Sequence, residues 1–234
     1  MAYLAQDYEK AYFALVKYTT AKPFAASGAW NLLGLVQMGR GLHHAAEKSF
    51  YHALELISIE QEEKAEHRRY PIAGQSLWFS APDADSLPEP LASVTKEEKV
   101  RIVRLNRARN LNHIGKYSDA ISEFKELLED RKKRKVSEGE LAEVELDVAS
   151  SCYYKGDYEE SMNFFQAVVD RTVVRAKGSK GDAELGKGVL LLLAQAAFYG
   201  GKIEVAKRSI MQWYVILSLS FLCILTSPPP HNLV

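Results

Sequence analysis

Cysteine is almost absent: Cys152 and Cys223 are the only two in 234 residues. Two distant thiols can build neither a disulfide framework nor a cysteine metal cluster, and they fit buried thiols in a reducing compartment. Net charge is absent as well, because 30 Lys and Arg balance 30 Asp and Glu. Bulk electrostatics therefore does not steer the chain onto nucleic acid or an acidic membrane, and direct nucleic-acid binding is disfavoured. The first ten residues have neither a basic segment nor an apolar one, so no secretory signal is expected there. The eight prolines are confined to Pro23, to Pro71, Pro82, Pro88 and Pro90, and to Pro228, Pro229 and Pro230. Most of the chain is thus left open to helix.

Catalytic constellations are missing too. Gly178-Ser179-Lys180-Gly181 is a basic, turn-forming linker without the flanking strand of a phosphate loop. His43, His44, His52, His67, His113 and His231 are scattered, and no carboxylate or cysteine completes a zinc set around His44 and Glu47. No serine or cysteine has a histidine at motif spacing. The expectation is a non-enzyme with no catalytic residue, metal or cofactor. The basic run Arg131-Lys132-Lys133-Arg134-Lys135 reads as a solvated loop after the acidic Glu126, Glu129 and Asp130, with nuclear import or RNA phosphate contact as the competing reading.

What the chain does contain is one short phrase, repeated. Gly115-Lys116-Tyr117-Ser118-Asp119-Ala120 with Phe124 returns as Gly156-Asp157-Tyr158 with Ser161 and Phe165, and as Gly201-Lys202-Ile203 with Ala206 and Ile210. It also occurs earlier, as Gly41-Leu42-His43 with Ala46 and Phe50, and in part as Tyr8, Ala11 and Leu15. In each of the four full copies a glycine closes a turn and an amphipathic helix follows. Upstream of the turn, Trp30, Leu33 and Gly34 share one helical face over about residues 26 to 38, and Ala46, Phe50 and Ala53 share another over 43 to 57. Small residues are needed at Gly34 and Ala46 because packed helices approach to about 8 to 10 Å where they cross.

With Trp30, Leu33, Gly34, Ala46, Phe50 and Ala53 at relative positions 4, 7, 8, 20, 24 and 27, the unit resembles the tetratricopeptide repeat. Later units match through Ala108, Leu111, Gly115, Tyr117, Ala120 and Phe124, then Ala149, Gly156, Tyr158, Ser161 and Phe165, then Ala194, Gly201 and Ala206. The third unit departs by carrying Arg104 and Arg107 where bulky apolar residues are usual. The resemblance implies an all-α, right-handed superhelical solenoid of antiparallel helix pairs that binds protein segments. Its expected organisation is a partial repeat at 1–24, a repeat at 26–58, a proline-containing insertion loop at 59–98, repeats at 99–130 and 140–172, a repeat-like or capping pair at 183–212, and an apolar, proline-ended tail at 213–234. Within the insertion, residues 60–69 read as a charged extension of the preceding helix, and Trp78 and Phe79 as a partner anchor or as a segment that folds back on the array.

Some tetratricopeptide co-chaperones clamp a peptide carboxylate with Asn, Lys and Arg on successive first helices. Here Asn31, Asn106 and Arg109 remain as candidate partner-binding residues. Glu143 and Asp147 stand where cations are wanted, so the clamp is broken. The serial phrases at Gly115, Gly156 and Gly201 are similar to the scaffold subunit of the superkiller complex over about residues 29 to 211. That resemblance implies a cytoplasmic scaffold for an RNA helicase and WD40 subunits, serving exosome-linked 3′-to-5′ mRNA decay. The chain would then be a fragment or short isoform of a longer scaffold.

The tail breaks the pattern. Residues 211–225 are almost continuously apolar, yet they number 15 against the roughly 20 that span a bilayer. A cap on the last repeat and an unrelated splice tail are the favoured readings. Membrane contact through 211–225, as in a tail-anchored adaptor at an organelle surface, is the alternative.

Overall fold

A computed structural model describes residues 8–21, 27–67, 95–174 and 180–226, with the side chains of 60–67, 173–185 and 216–226 outside that set. Among the described residues the structure is all-helical, with sequence neighbours packed in adjacent pairs and no strand. The helices are α1 (Tyr8–Ala21), α2 (Ser27–Gly39), α3 (His43–His67), α4 (Lys96–Ile114), α5 (Tyr117–Arg134), α6 (Glu138–Lys155), α7 (Tyr158–Val169), α8 (Lys180–Tyr199) and α9 (Ile203–Thr226). A π-helical turn, Asp170–Val174, follows α7. The chain divides into two compact units, Met1–Asp119 and Ala120–Val234, and each is described by itself.

The four turns that carry the repeated glycine share one geometry. Gly41, Gly115, Gly156 and Gly201 all have positive φ, between 72° and 93°. At each, the glycine N–H donates to the carbonyl three residues back and the next N–H donates to the carbonyl five back, as in Lys116 to Leu111 and Asp157 to Cys152, both at 2.9 Å. This pair of hydrogen bonds satisfies the last carbonyls of the helix and needs a residue in the left-handed conformation, which glycine adopts without steric cost. Helix starts are written as plainly. Thr95 caps α4 by accepting from the Glu98 N–H, and Ser137 caps α6 by accepting from the Glu140 N–H, each at 3.3 Å. Both are Ser/Thr-x-x-Glu boxes. They set the first helices of these units earlier than the expected starts at 99 and 140.

In the first unit, Ala46, Phe50, Ala53 and Ile57 of α3 pack with Val103 of α4, flanked by Trp30, Leu35 and Met38 of α2. Leu33 is buried beside them. Helix α1 turns Tyr8, Ala11, Tyr12, Leu15 and Tyr18 away from full exposure, and its Thr19 is buried. The spacing of that inward face is helical, as the sequence predicts. Helix α3 continues to His67, so part of the charged extension is helical. Residues 68–94, with Trp78 and Phe79, lie outside the described residues.

In the second unit, Ala142 and Ala149 of α6, Phe165, Val168 and Val169 of α7, and Val189, Leu190, Leu193 and Ala196 of α8 form the core. Ala120, Phe124, Leu127 and Leu128 of α5 are buried, as are Ala194, Ala197 and Ala206. Ser161 occupies a crossing position and is fully buried. Its hydroxyl donates to the Ala149 carbonyl at 2.9 Å, which satisfies the polar group that alanine would not bring.

Several expectations need correction. The basic run is not a loop: Arg131, Lys132, Lys133 and Arg134 form the last turn of α5, where cations favour the negative end of the helix dipole. Arg134 pairs with Asp130 and Lys132 with Glu129. The helix closes with the same pair of hydrogen bonds as the glycine turns, but on Lys135, at φ 53°. In α9 the expected inward residues Ile203 and Ile210 are exposed; Ala206 and Ser209 are buried instead. Trp213, the first residue of the expected tail, packs against the second unit's core, and α9 runs through that boundary without a break. No helix among the described residues is long and apolar enough to cross a membrane.

Candidate functional site

The candidate partner-binding residues fall on the first unit, where α2, α3 and α4 adjoin. Asn31 of α2 is buried, and its Oδ1 accepts a 3.1 Å bond from Nδ2 of Asn106 on α4. These two amides hold one helix against the next. Arg109 is half-buried on α4. Trp30 is half-buried in α2, edge-on to His52 of α3 with ring centroids 4.5 Å apart.

Beside this junction an open cleft of about 490 Å³ is lined by Trp30, Glu47, Lys48, Ser49, Tyr51, His52 and Arg107. Each helix contributes through its periodicity: Glu47, Lys48, Tyr51 and His52 are spaced at i, i+1, i+4 and i+5 along one flank of α3. Ser49 is buried, and its hydroxyl donates to Oε1 of Gln37 at 2.7 Å. Glu47 is engaged from outside the cleft by Lys116, whose Nζ lies 3.1 and 3.3 Å from the two carboxylate oxygens.

The neighbouring turn is held by a residue that the repeat pattern did not single out. Asn110 is fully buried. Its Nδ2 donates to the His43 carbonyl at 2.8 Å, and its Oδ1 accepts from His43 Nδ1 at 3.2 Å. That ties the first residue of α3 to α4. The only signal in the sequence is an asparagine within an otherwise apolar stripe, next to Leu111. His113, one turn on, stacks on His43 at 4.9 Å. Its pKa is lowered, first by burial and then by the charge of His43.

The second unit carries two other polar arrangements. Glu145 is buried, and the Arg171 guanidinium meets it with two donors, Nε at 2.8 Å and Nη2 at 3.1 Å. Arg171 also reaches Glu138, and its pKa is raised, first by the bond to Glu145. Cys152 is buried and free. Burial, then the Glu160 carboxylate, push its pKa up to about 12, so the thiol is not activated as a nucleophile. At the edge of the same unit Tyr153, Tyr158 and Tyr199 form a ring cluster, with Tyr158 and Tyr199 stacked at 5.9 Å. Among the described residues, no three His, Cys, Asp or Glu side chains are placed to hold a metal.

No family model and no curated protein matches the chain. Among solved structures it is similar to the crystal structure of BtubC (BKLC) from P. vanneervenii. The identity is 15%, over 97% of this chain and 94% of that one, with a TM-score of 0.48.

Proposed function

We propose that the chain is a protein–protein interaction scaffold built of tetratricopeptide-like helix pairs stacked as a right-handed superhelical solenoid. The observation that carries this reading is the recurrence of one turn: four glycines at positive φ, with small, buried residues at the matching positions of the helices that flank each turn. Such arrays present side chains at fixed spacing and bring partners together without chemistry. No catalytic role is proposed.

The narrower proposal is a cytoplasmic scaffold of the superkiller type, holding an RNA helicase and WD40 subunits for exosome-linked mRNA decay. It is supported by the serial phrases at Gly115, Gly156 and Gly201. The test is affinity purification of the full chain from cells at moderate salt, followed by mass spectrometry. Joint recovery of a helicase and WD40 proteins supports the narrower proposal. A folded chain that recovers neither sinks it and leaves the generic scaffold. The tail-anchored adaptor is the competing proposal, and salt-resistant sedimentation with membranes, lost on deleting residues 216–234, would favour it.

A further inference from the structure

Five aromatic rings meet on the outside of the second unit. Tyr154 of α6 is edge-on to Tyr153 at 5.6 Å, Tyr153 lies 6.1 Å from Tyr199 of α8, and Tyr199 lies 5.7 Å from Phe198. Tyr158, the first residue of α7, joins the row through Tyr153 and Tyr199. Tyr154, Phe198 and Tyr199 are nonetheless 65%, 62% and 60% exposed, and a contiguous apolar surface of this kind marks a site of association. It continues along α8, where Gly188, Leu191, Leu192 and Gln195 are exposed on the same helical flank as Phe198 and Tyr199. That stripe holds no Asp, Glu, Lys or Arg, so its complement is an uncharged segment. Ring faces suit proline, whose ring is apolar and whose missing N–H leaves no donor to be buried unpaired, while the Tyr199 hydroxyl can donate to the carbonyls of such a run.

The chain has one run of three prolines, Pro228, Pro229 and Pro230. They follow the end of α9 at Thr226 and lie outside the described residues. Their own copy's rings are out of reach. Helix α9 begins four residues after Tyr199 and continues for 24 residues, about 36 Å at the rise of an α-helix. The four residues from Ser227 to Pro230 cover at most about 14 Å. A run that turned straight back along α9 would still fall short of the ring row at its start.

We propose that the Pro228–Pro230 run of one copy docks on the ring row of a second copy, with its prolines against Phe198, Tyr199 and Tyr154. Reciprocal exchange of the two runs closes a two-fold dimer, and each copy is then both donor and acceptor. The inference goes beyond the interaction-scaffold reading and does not depend on the repeat family.

The test is sedimentation velocity of the full chain over a concentration series. Its mass is expected to rise with concentration, with little effect of salt because no charge is matched. Excess free peptide of residues 226–234 should return the chain to monomer, and the same peptide with Pro228→Ala, Pro229→Ala and Pro230→Ala should not. The chain carrying those three changes should need roughly tenfold to thirtyfold more protein to associate, and so should Phe198→Ala, the effect of truncating an aromatic anchor. The proline changes lie outside the helices, so their result stands even where Phe198→Ala perturbs the unit. A chain that stays monomeric throughout would overturn the proposal. So would association that survives the three proline changes, because another apolar surface would then hold the copies together. Binding of the peptide by a chain that never self-associates would overturn it as well, since the rings would then serve another protein's proline segment.

Discussion

Gly34 lies directly beneath the ring of Phe50. A methyl group built on Gly34 would sit 2.6 Å from the Phe50 Cε1 atom, and Phe50 is fully buried in the first unit's core, so the ring has nowhere to go. The spacing that marks the repeat is thus a steric contract between one missing side chain and one large one. Gly34→Ala should destabilise the chain by about 1 to 3 kcal/mol through overpacking. Phe50→Leu should recover part of that loss in the double variant, read as non-additive urea midpoints. Additive losses would show that the two residues do not share the constraint.

The turns separate backbone strain from packing. At Gly156 a Cβ would meet nothing within 4 Å, yet φ is 93°. Gly156→Ala should therefore cost about 1 to 2 kcal/mol from the left-handed backbone alone. At Lys135 the same geometry is already held by a side-chain-bearing residue, so Lys135→Gly should leave stability unchanged or raise it by up to about 1 kcal/mol. Thermal unfolding of both variants checks the opposite signs.

The Glu145 carboxylate depends on Arg171. Arg171→Met would leave a buried charge without its two donors and should cost about 3 to 5 kcal/mol. Glu145→Leu combined with Arg171→Met removes both charges and should be milder than the single arginine change. A double-variant cycle in urea measures the difference.

Trp213 closes the second unit. Because it packs against that unit's core, Trp213→Ala should destabilise by about 3 kcal/mol, near the low end for a large aromatic truncation because the ring is only half-buried. A chain ending at residue 212 should show at least the same destabilisation, seen as a lower melting temperature.

The His43–His113 stack gives a pH dependence of known sign. Burial and the neighbouring imidazole lower the His113 pKa in the folded state, so the unfolded chain takes up the proton first. Stability should be unaffected above the ordinary histidine pKa of about 6.5, fall as pH drops through it, and level off below the folded value. His113→Gln should flatten that part of the profile of urea midpoint against pH.

The helical class and the turns were legible from residues alone. Glycine at a fixed distance before an apolar stripe encodes a left-handed cap, and small residues opposite large ones encode a crossing; both are local rules acting over a few residues. The starts of α4 and α6 were written in the same local code, as Thr95-x-x-Glu98 and Ser137-x-x-Glu140. A charged loop and a charged helical last turn share a composition, and only the hydrogen bonds back from Lys135 and Val136 mark the basic run as the second.

Other features depend on which surfaces meet. Periodicity offers α9 two apolar faces, and packing against the unit's core selects Ala206, Ser209 and Trp213 over Ile203 and Ile210. Asn31 accepts from Asn106, 75 positions away. Asn110 and His43, and Arg171 and Glu145, are likewise pairs that no local spacing announces. Local sequence specifies how each helix starts, stops and presents an apolar stripe, because those energies arise within a turn or two of chain. Which polar groups are consumed inside each unit and which line an open cleft is set by contacts between residues distant in sequence, and these exist only once the helices have packed.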